Sequence, residues 1–273
     1  GAFFTFKLTT AMPEVNILLV FLLAGFGTAL VGIAFGLPSL RIKGFYLAIA
    51  TLAAQFFLIW MFTQNPWWTN HSAAGVITAP PRALFGDFYI TGIRATPLNK
   101  YIFLLCFTAL LALVAKNLVR SALGRAWMAI RDMDIAAEII GIRPLAAKLS
   151  AFAVSSFFIG ISGAVWAFMY TASVEALAFE VTRSFQVLFM IIIGGLGSIL
   201  GSFLGAAFIV LLPIMLSNLP AMVGLRLPVD LVAHLEFMIF GALIVFFLIV
   251  EPHGLARLWQ IGKEKLRRWP FPY

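Results

Sequence analysis

Twenty-three consecutive residues, from Val15 to Leu37, carry no charge. As a helix this run reaches roughly 34 Å, enough to cross the roughly 30 Å hydrocarbon layer of a bilayer. Other runs repeat the theme. Gly44 to Phe62 holds Gln55 as its only strongly polar side chain. Pro97 to Ala115 carries Lys100 near its start, Leu149 to Thr171 is uncharged, and Glu236 to Val250 closes the series. The stretch from Phe185 to Ser217 is too long for one upright helix, and Gly194-Gly195-Leu196-Gly197-Ser198 interrupts it. It reads as two packed segments, the first of about 12 residues and short enough for a half-helix or a re-entrant piece. The expectation is an all-α polytopic membrane protein of about seven membrane segments, including one glycine-broken pair. Composition removes the alternatives. With 62% hydrophobic residues, 11% charged residues and a mean hydropathy of +1.02, too little polar material remains to cover a water-soluble core. An ordinary cytosolic enzyme, a disordered chain and a disulfide scaffold are all excluded. The one cysteine, Cys106, lies inside an apolar run.

The 19 basic residues outnumber the 11 acidic ones, giving +8. In a polytopic chain that excess marks loops held in the cytoplasm, not an affinity for nucleic acid. The link 116–148 holds Lys116, Arg120, Arg125, Arg131, Arg143 and Lys148. Arg41 and Lys43 follow the first span, and the tail holds Arg257, Lys263, Lys265, Arg267 and Arg268. Placing all three inside alternates correctly with the spans if both pieces of the glycine-split region cross or together form one re-entrant pair, and puts the amino-terminal end and the 63–96 link outside. The outer link carries Arg82 and Arg94 against Asp87, so the bias is not absolute. The closing run Lys263 to Trp269 is basic with flanking aromatics; it suits an anionic leaflet and equally an ordinary stop-transfer flank. The chain starts with glycine and has no charged stretch before a short apolar one, so no signal peptide is read. A start within a longer protein is expected.

Small residues recur four apart. Gly197, Gly201 and Gly205 form one ridge, and Gly194, Ser198, Ser202 and Ala206 a second. Thr28, Gly32 and Gly36 repeat the pattern in the first span, and Ser156, Gly160 and Ala164 in the fourth. Such ridges let helix backbones approach where lipid removes the hydrophobic drive for association. Packing seams are therefore the plain reading. Around Gly194–Ser198 a second reading stands beside it, because transporters use broken helices at their binding sites. Gln55, with Thr51 one turn earlier, is a candidate hydrogen-bonding group on a solute path or an interhelical tie. Gly92, assigned to the outer link, is expected to tolerate a side chain.

Much chemistry is missing. No Gly-x-x-x-x-Gly-Lys-Ser/Thr occurs, so the chain cradles no ATP phosphates. His71, His234 and His253 stand far apart, without partners at zinc-ligand spacing. Ser162 and Ser198 sit in no nucleophile elbow. Neither catalysis nor a metal is expected.

The stretch from Gly124 to Pro144 differs from the spans. On a helical wheel Ala129, Ile130, Met133, Ala136, Ala137 and Ile140 share one arc, while Arg131, Asp134 and Glu138 share another. Ser121 is a candidate N-cap. Gly141 followed by Pro144 is a stop signal. One amphipathic helix of roughly 15 residues is predicted, too polar to span and lying either on the membrane surface or against a cytoplasmic partner. Small alanines and charges of both signs favour the partner.

Gly124 to Ile142 fits G-R-A-W-x-A-I-R-x-x-x-x-A-A-x-x-x-G-I, and here the chain resembles the coupling segment of the branched-chain amino-acid permeases of ABC importers, the LivM-like subunit. Gly36-Leu37-Pro38 to Arg41, Tyr46-Leu47-Ala48-Ile49 and Thr51-Leu52-Ala53 look like that family's second block. Gly194-Gly195-Leu196-Gly197-Ser198 with Gly201 and Gly205-Ala206 look like its glycine-rich block, and Pro252-His253-Gly254-Leu255 like its closing one. The resemblance implies a single permease domain over 1–273, lacking amino-terminal helices, with 116–148 as its cytoplasmic coupling segment. Gly124, Arg125, Ala129, Ile130, Arg131, Asp134, Ala136, Ala137, Glu138 and Gly141 would then couple to the ATPase. It also implies a second homologous permease subunit, two ATP-binding cassette subunits that hold ATP and magnesium, and an extracytoplasmic solute-binding protein. The setting would be a bacterial inner membrane, with the carboxyl terminus in the cytoplasm. Two departures concern the solute. The family's T-G-G-x-x-G is replaced by Thr69-Asn70-His71-Ser72-Ala73-Ala74-Gly75, and Phe56 stands where an acid is common. Relatives serve branched-chain amino acids, urea, small amides and carboxylates. A self-contained channel or secondary carrier is the competing function, and a membrane scaffold without transport a third.

Overall fold

A computed structural model describes all residues except 41–44, 73–74, 85–87, 93–94, 223–228, 251–253 and 269–273. Arg41, Lys43, Asp87, Arg94, Pro252, His253 and Trp269 thus lie outside the described residues, as does the side chain of His234. The chain forms two compact units, Gly1–Glu180 and Val181–Tyr273.

The first unit contains α1 (Ala2–Ala11), α2 (Ile17–Ser39), α3 (Phe45–Gln64), α4 (Pro97–Arg120), α5 (Ala122–Asp132), α6 (Asp134–Ile139) and α7 (Pro144–Val165). A π-helical turn, Trp166–Thr171, continues α7. The strands β1 (Ile77–Thr78) and β2 (Ser173–Val174) pair antiparallel. The second unit holds α8 (Val181–Gly194), α9 (Ile199–Met222), α10 (Val229–Val250) and α11 (Gly254–Arg268). Among the described residues five helices are long and apolar enough to cross a membrane: Ile17–Ser39, Pro97–Arg120, Pro144–Thr171, Leu177–Gly194 and Ile199–Leu216. The expected spans 44–62 and 236–250 fall in α3 and α10, whose apolar stretches Ala48–Gln64 and Met238–Phe247 are shorter.

The most extensive helix contact in the first unit joins α2 to α7. Its seam is made by the two small-residue ridges of the first and fourth spans. A Cβ on Gly160 would lie 2.5 Å from Thr28 Cβ, and one on Gly32 would collide with the Ser156 hydroxyl. Gly36 faces Phe152 and Leu149, while Gly25 faces Phe157 and Ile161. Rising numbers in α2 meet falling numbers in α7, so the helices run antiparallel.

That pairing defines two ends. At one, Pro13 before α2, the 63–96 link and the end of α7 come together. β1 belongs to the link and β2 follows α7, and Ala79 N–H donates to the carbonyl of Ala172 at 3.0 Å. At the other end, Trp127 Nε1 donates to Ser150 Oγ in the second turn of α7 at 2.9 Å, and that hydroxyl donates to the Ala147 carbonyl at 2.8 Å. The basic 116–148 segment and the 63–96 link therefore sit at opposite ends of the unit.

Three elements differ from expectation. First, α1 was not foreseen. Phe3 and Phe6 are buried, and Phe3 stacks on Phe62 with ring centroids 4.4 Å apart. Second, described residues of the link are held by polar contacts that composition hides. The Arg82 guanidinium donates to the carbonyls of Thr9 (2.6 Å) and Pro13, at the carboxyl end of α1. A cation there satisfies carbonyls without helical partners and complements the helix dipole. Arg82 thus serves a local cap, which explains a cation in the link assigned to the outside. Third, Gly92 is not tolerant of a side chain, since its Cβ would meet Pro81 Cβ at 2.7 Å and Cα at 2.8 Å.

Arg82→Ala should lower stability in detergent by about 1–2 kcal/mol, toward the low end of charged hydrogen bonds because the group is partly exposed. Arg82→Lys should recover part of the loss, since an ammonium can still serve a carbonyl. Thermal melting of the three proteins checks this, and equal melting temperatures would show that the guanidinium contributes nothing.

Candidate functional site

The glycine break is a tight hairpin between α8 and α9. Gly195 (φ 110°) and Gly197 (φ 82°) both occupy the left-handed region, which a side chain disfavours. Ser198 precedes α9 and caps it, its Oγ accepting from Gly201 N–H at 3.1 Å. Past the turn the backbones touch. A Cβ on Gly201 would lie 2.5 Å from the carbonyl oxygen of Gly194, and a Cβ on Gly205 would collide with that of Met190. Gly254, the first residue of α11, closes over the turn, with its Cβ position 2.5 Å from Gly195 N and 2.6 Å from the Ile193 carbonyl oxygen. Gly194 and Gly195 are buried, whereas Gly197 is exposed. The glycines lie in backbone-to-backbone contacts, the geometry of a packing seam.

On α3, the side-chain amide of Gln55 donates to the Phe179 carbonyl at 3.4 Å, tying the helix to the 3-10 turn beyond α7. The Thr51 hydroxyl donates within its own helix, to the Ala48 carbonyl at 2.9 Å.

The predicted coupling helix is two helices. α5 ends at Asp132, Met133 adopts an extended conformation (φ −153°, ψ 98°), and α6 starts at Asp134. Apolar periodicity runs unbroken across Met133, so the break leaves no mark in the pattern. The caps match the sequence signals. Ser121 Oγ accepts from Gly124 N–H at 3.5 Å. Gly141 (φ 92°) follows the end of α6, and Ile142 N–H donates to the Ala137 carbonyl at 3.0 Å, a left-handed cap. Pro144 then starts α7.

The break rotates the predicted apolar arc apart. Ile130 and Ala137 are buried, with Ala137 only 2% exposed, and Ala129 is half-buried. Met133, Ala136 and Ile140 are exposed, joined by Ile135 (74%) and Ile139 (81%). Gly124 is buried, and a Cβ there would strike the Val119 carbonyl. Arg125 is exposed and donates to the Arg120 carbonyl at 3.0 Å. Arg131 pairs with Asp132 at 2.8 Å, and Lys148 reaches Asp134 at 3.9 Å. Glu138 and Gly141 are exposed. A cleft of about 230 Å³ separates α5 from α7, lined by Trp127, Ile130, Arg131, Ala147, Lys148 and Ala151. Among the described residues, no group of three or more His, Cys, Asp or Glu side chains could hold a metal ion.

Membrane-length helices joined by small-residue seams, with a polar helical segment at one end, define a multi-pass helical membrane protein. The chain belongs to the family described as branched-chain amino acid transport system / permease component, whose profile matches residues 1–248. That is a family of transport permeases, not of enzymes. The chain is 31% identical over 251 residues to the high-affinity branched-chain amino acid transport system permease protein LivM of Escherichia coli, covering 85% of this chain and 56% of that protein. It is 30% identical over 253 residues to LivM of Salmonella typhimurium, with the same shares. It is also 27% identical over 260 residues to a probable branched-chain amino acid transport permease protein LivM of Methanocaldococcus jannaschii, covering 91% and 71%. The chain spans just over half the length of the two bacterial relatives. No solved structure matches it.

Gly201→Leu should break the α8–α9 hairpin, because a branched side chain has only backbone to push against; the cost should reach about 3 kcal/mol or more. Gly241→Leu, at a helical glycine whose Cβ position has nothing within 4 Å, is the control and should be mild. Membrane yield and melting temperature separate the two, and equal losses would mean that the hairpin glycines are not a contact.

Proposed function

We propose that this chain is a membrane permease subunit of an ATP-driven importer that moves a branched-chain amino acid, or a related small solute such as urea, an amide or a carboxylate. ATP and magnesium are held by two separate cytoplasmic ATP-binding cassette subunits, and none by this chain. A second homologous permease subunit completes the path, and an extracytoplasmic binding protein delivers the solute. Membership of the permease family supports this reading, as do the names of the relatives.

One observation carries the coupling role: the exposed apolar face of α6. Ile135, Ile139 and Ile140 stand exposed on a segment far too polar to cross a membrane. Arg131, Asp132, Asp134 and Glu138 lie within a few residues of them, and charges of both signs beside an apolar patch suit a protein partner better than lipid. Beneath this face, buried Ile130 and Ala137 anchor α5 and α6 in the unit. A push on α6 is therefore passed to α7 and, through the glycine seam, to α2. Sidedness follows the same logic. The basic 116–148 segment lies at the end away from the 63–96 link, in keeping with a cytoplasmic coupling segment, seven crossings and a cytoplasmic carboxyl terminus in a bacterial inner membrane. Gln55 acts as an interhelical tie beside the path, a role that its bond to Phe179 supports.

Ile135→Asp combined with Ile139→Asp tests the coupling. In the assembled transporter, solute uptake should fall at least tenfold while membrane level and melting temperature stay unchanged, because both side chains are exposed. Ala137→Arg should instead lower stability, because that side chain is buried. Uptake at the normal level in the double variant would refute the docking role of α6.

A further inference from the structure

α11 combines two anchoring features. Its first residue is pinned: Gly254 sits on the backbone of Ile193, Gly194 and Gly195, and Leu255 joins the apolar cluster around Ile193, Ile209 and Phe247. Beyond that point the helix is amphipathic. Leu255, Leu258, Trp259, Gly262 and Leu266 follow the i, i+3, i+4, i+7, i+11 pattern of one face. The other positions include five cations, Arg257, Lys263, Lys265, Arg267 and Arg268, against one acid, Glu264.

The apolar face is not packed down. Leu258, Trp259 and Leu266 remain exposed, although they look toward α9 across an open groove of about 470 Å³. Leu204 of α9 forms the opposite wall, Gly262 contributes no side chain, and Lys263 stands at the rim. On the helical wheel Lys263 and Lys265 flank the apolar arc on either side. Leu204 lies about 8 Å along α9, a helix long and apolar enough to span. That matches the roughly 5–10 Å depth to which an interfacial helix buries its apolar face.

We propose that this groove is a binding site for an anionic phospholipid of the surrounding bilayer. One acyl chain lies between α9 and α11 against Leu204, Leu258, Trp259 and Leu266. The headgroup phosphate is held by Lys263 at the rim of the groove, with Lys265 adding positive charge on the other flank of the apolar arc. Charge complementarity selects the occupant. A neutral protein surface would gain nothing from cations beside an apolar arc, whereas a phosphate above an acyl chain meets both requirements. The site uses none of the coupling residues and is independent of which solute is carried. Lipid bound there would fasten α11 over the α8–α9 hairpin that Gly254 already covers.

The test uses the purified protein in neutral detergent micelles doped with phosphatidylglycerol or phosphatidylcholine bearing brominated acyl chains. Tryptophan quenching is read, and the Trp259 share is isolated by comparison with Trp259→Phe. Each cation near an anionic lipid surface strengthens attraction roughly fivefold. With two lysines, Trp259 should therefore be half-quenched at a roughly 25-fold lower mole fraction of phosphatidylglycerol than of phosphatidylcholine. Lys263→Gln with Lys265→Gln removes charge without disturbing the helix, and should erase that preference while quenching by phosphatidylcholine is unchanged. Equal quenching by both lipids in the unaltered protein overturns the proposal, as does a preference that survives the double substitution. So does protection of Trp259 that rises with protein concentration instead of lipid, the result expected if a second copy filled the groove.

Discussion

The contact on which the first unit depends is the close approach of α2 and α7 along Gly25, Thr28, Gly32 and Gly36 on one side and Phe152, Ser156, Gly160 and Ile161 on the other. In water, two apolar helices associate because association hides their surfaces. In lipid that drive is gone, and close packing of backbones must replace it. Side chains as small as glycine and serine allow many weak dispersion contacts along the seam, each small and together large. The same solution recurs in the second unit, where Gly194, Gly201 and Gly205 bring α8 and α9 together and Gly254 adds α11. Large aromatics do the filling elsewhere: Phe3, Phe21 and Phe168 lie in the buried cluster around α1, the link and the end of α7.

Everything at the two ends of the first unit follows from that seam. Because α2 and α7 are antiparallel, the loop before α2 and the strand after α7 meet, and the 63–96 link is stitched between them by β1–β2 and by Arg82. The opposite end is left to α5 and α6. There the charges of both signs pair locally, Arg131 with Asp132 and Lys148 with Asp134, while the isoleucines of α6 remain uncovered. A rigid base with an unsatisfied apolar face is what transmission of force through a docked partner needs.

Much of this was legible in the residues. Apolar run length located the five helices long enough to cross, since a fixed thickness of hydrocarbon demands it. Four-residue spacing of small side chains marked the helix faces that meet between α2 and α7 and between α8 and α9, but not which helices meet. Ser121, Gly141 and Pro144 marked helix ends because each acts through its own backbone. Three features were hidden for physical reasons. α1 has only ten residues and contains Lys7, so no length rule finds it; it is held by tertiary contacts such as Phe3 on Phe62. The break at Met133 lies inside an unbroken apolar period, so the wheel that grouped Ile130, Met133, Ala137 and Ile140 merged two faces. Gly92 faces Pro81, eleven positions away, through a loop fold that no local pattern encodes.

The central claim is that α2 and α7 are held by a backbone-scale fit, and a double-mutant cycle between Thr28 and Gly160 tests it most directly. Gly160→Ala places a methyl group 2.5 Å from Thr28 Cβ and should destabilise the protein, whereas Thr28→Gly clears that space. In thermal or denaturant unfolding, the pair together should be more stable than the sum of the single changes by about 1–3 kcal/mol. Additivity to within about 0.5 kcal/mol would contradict the account, because it would mean that the two positions do not share a contact.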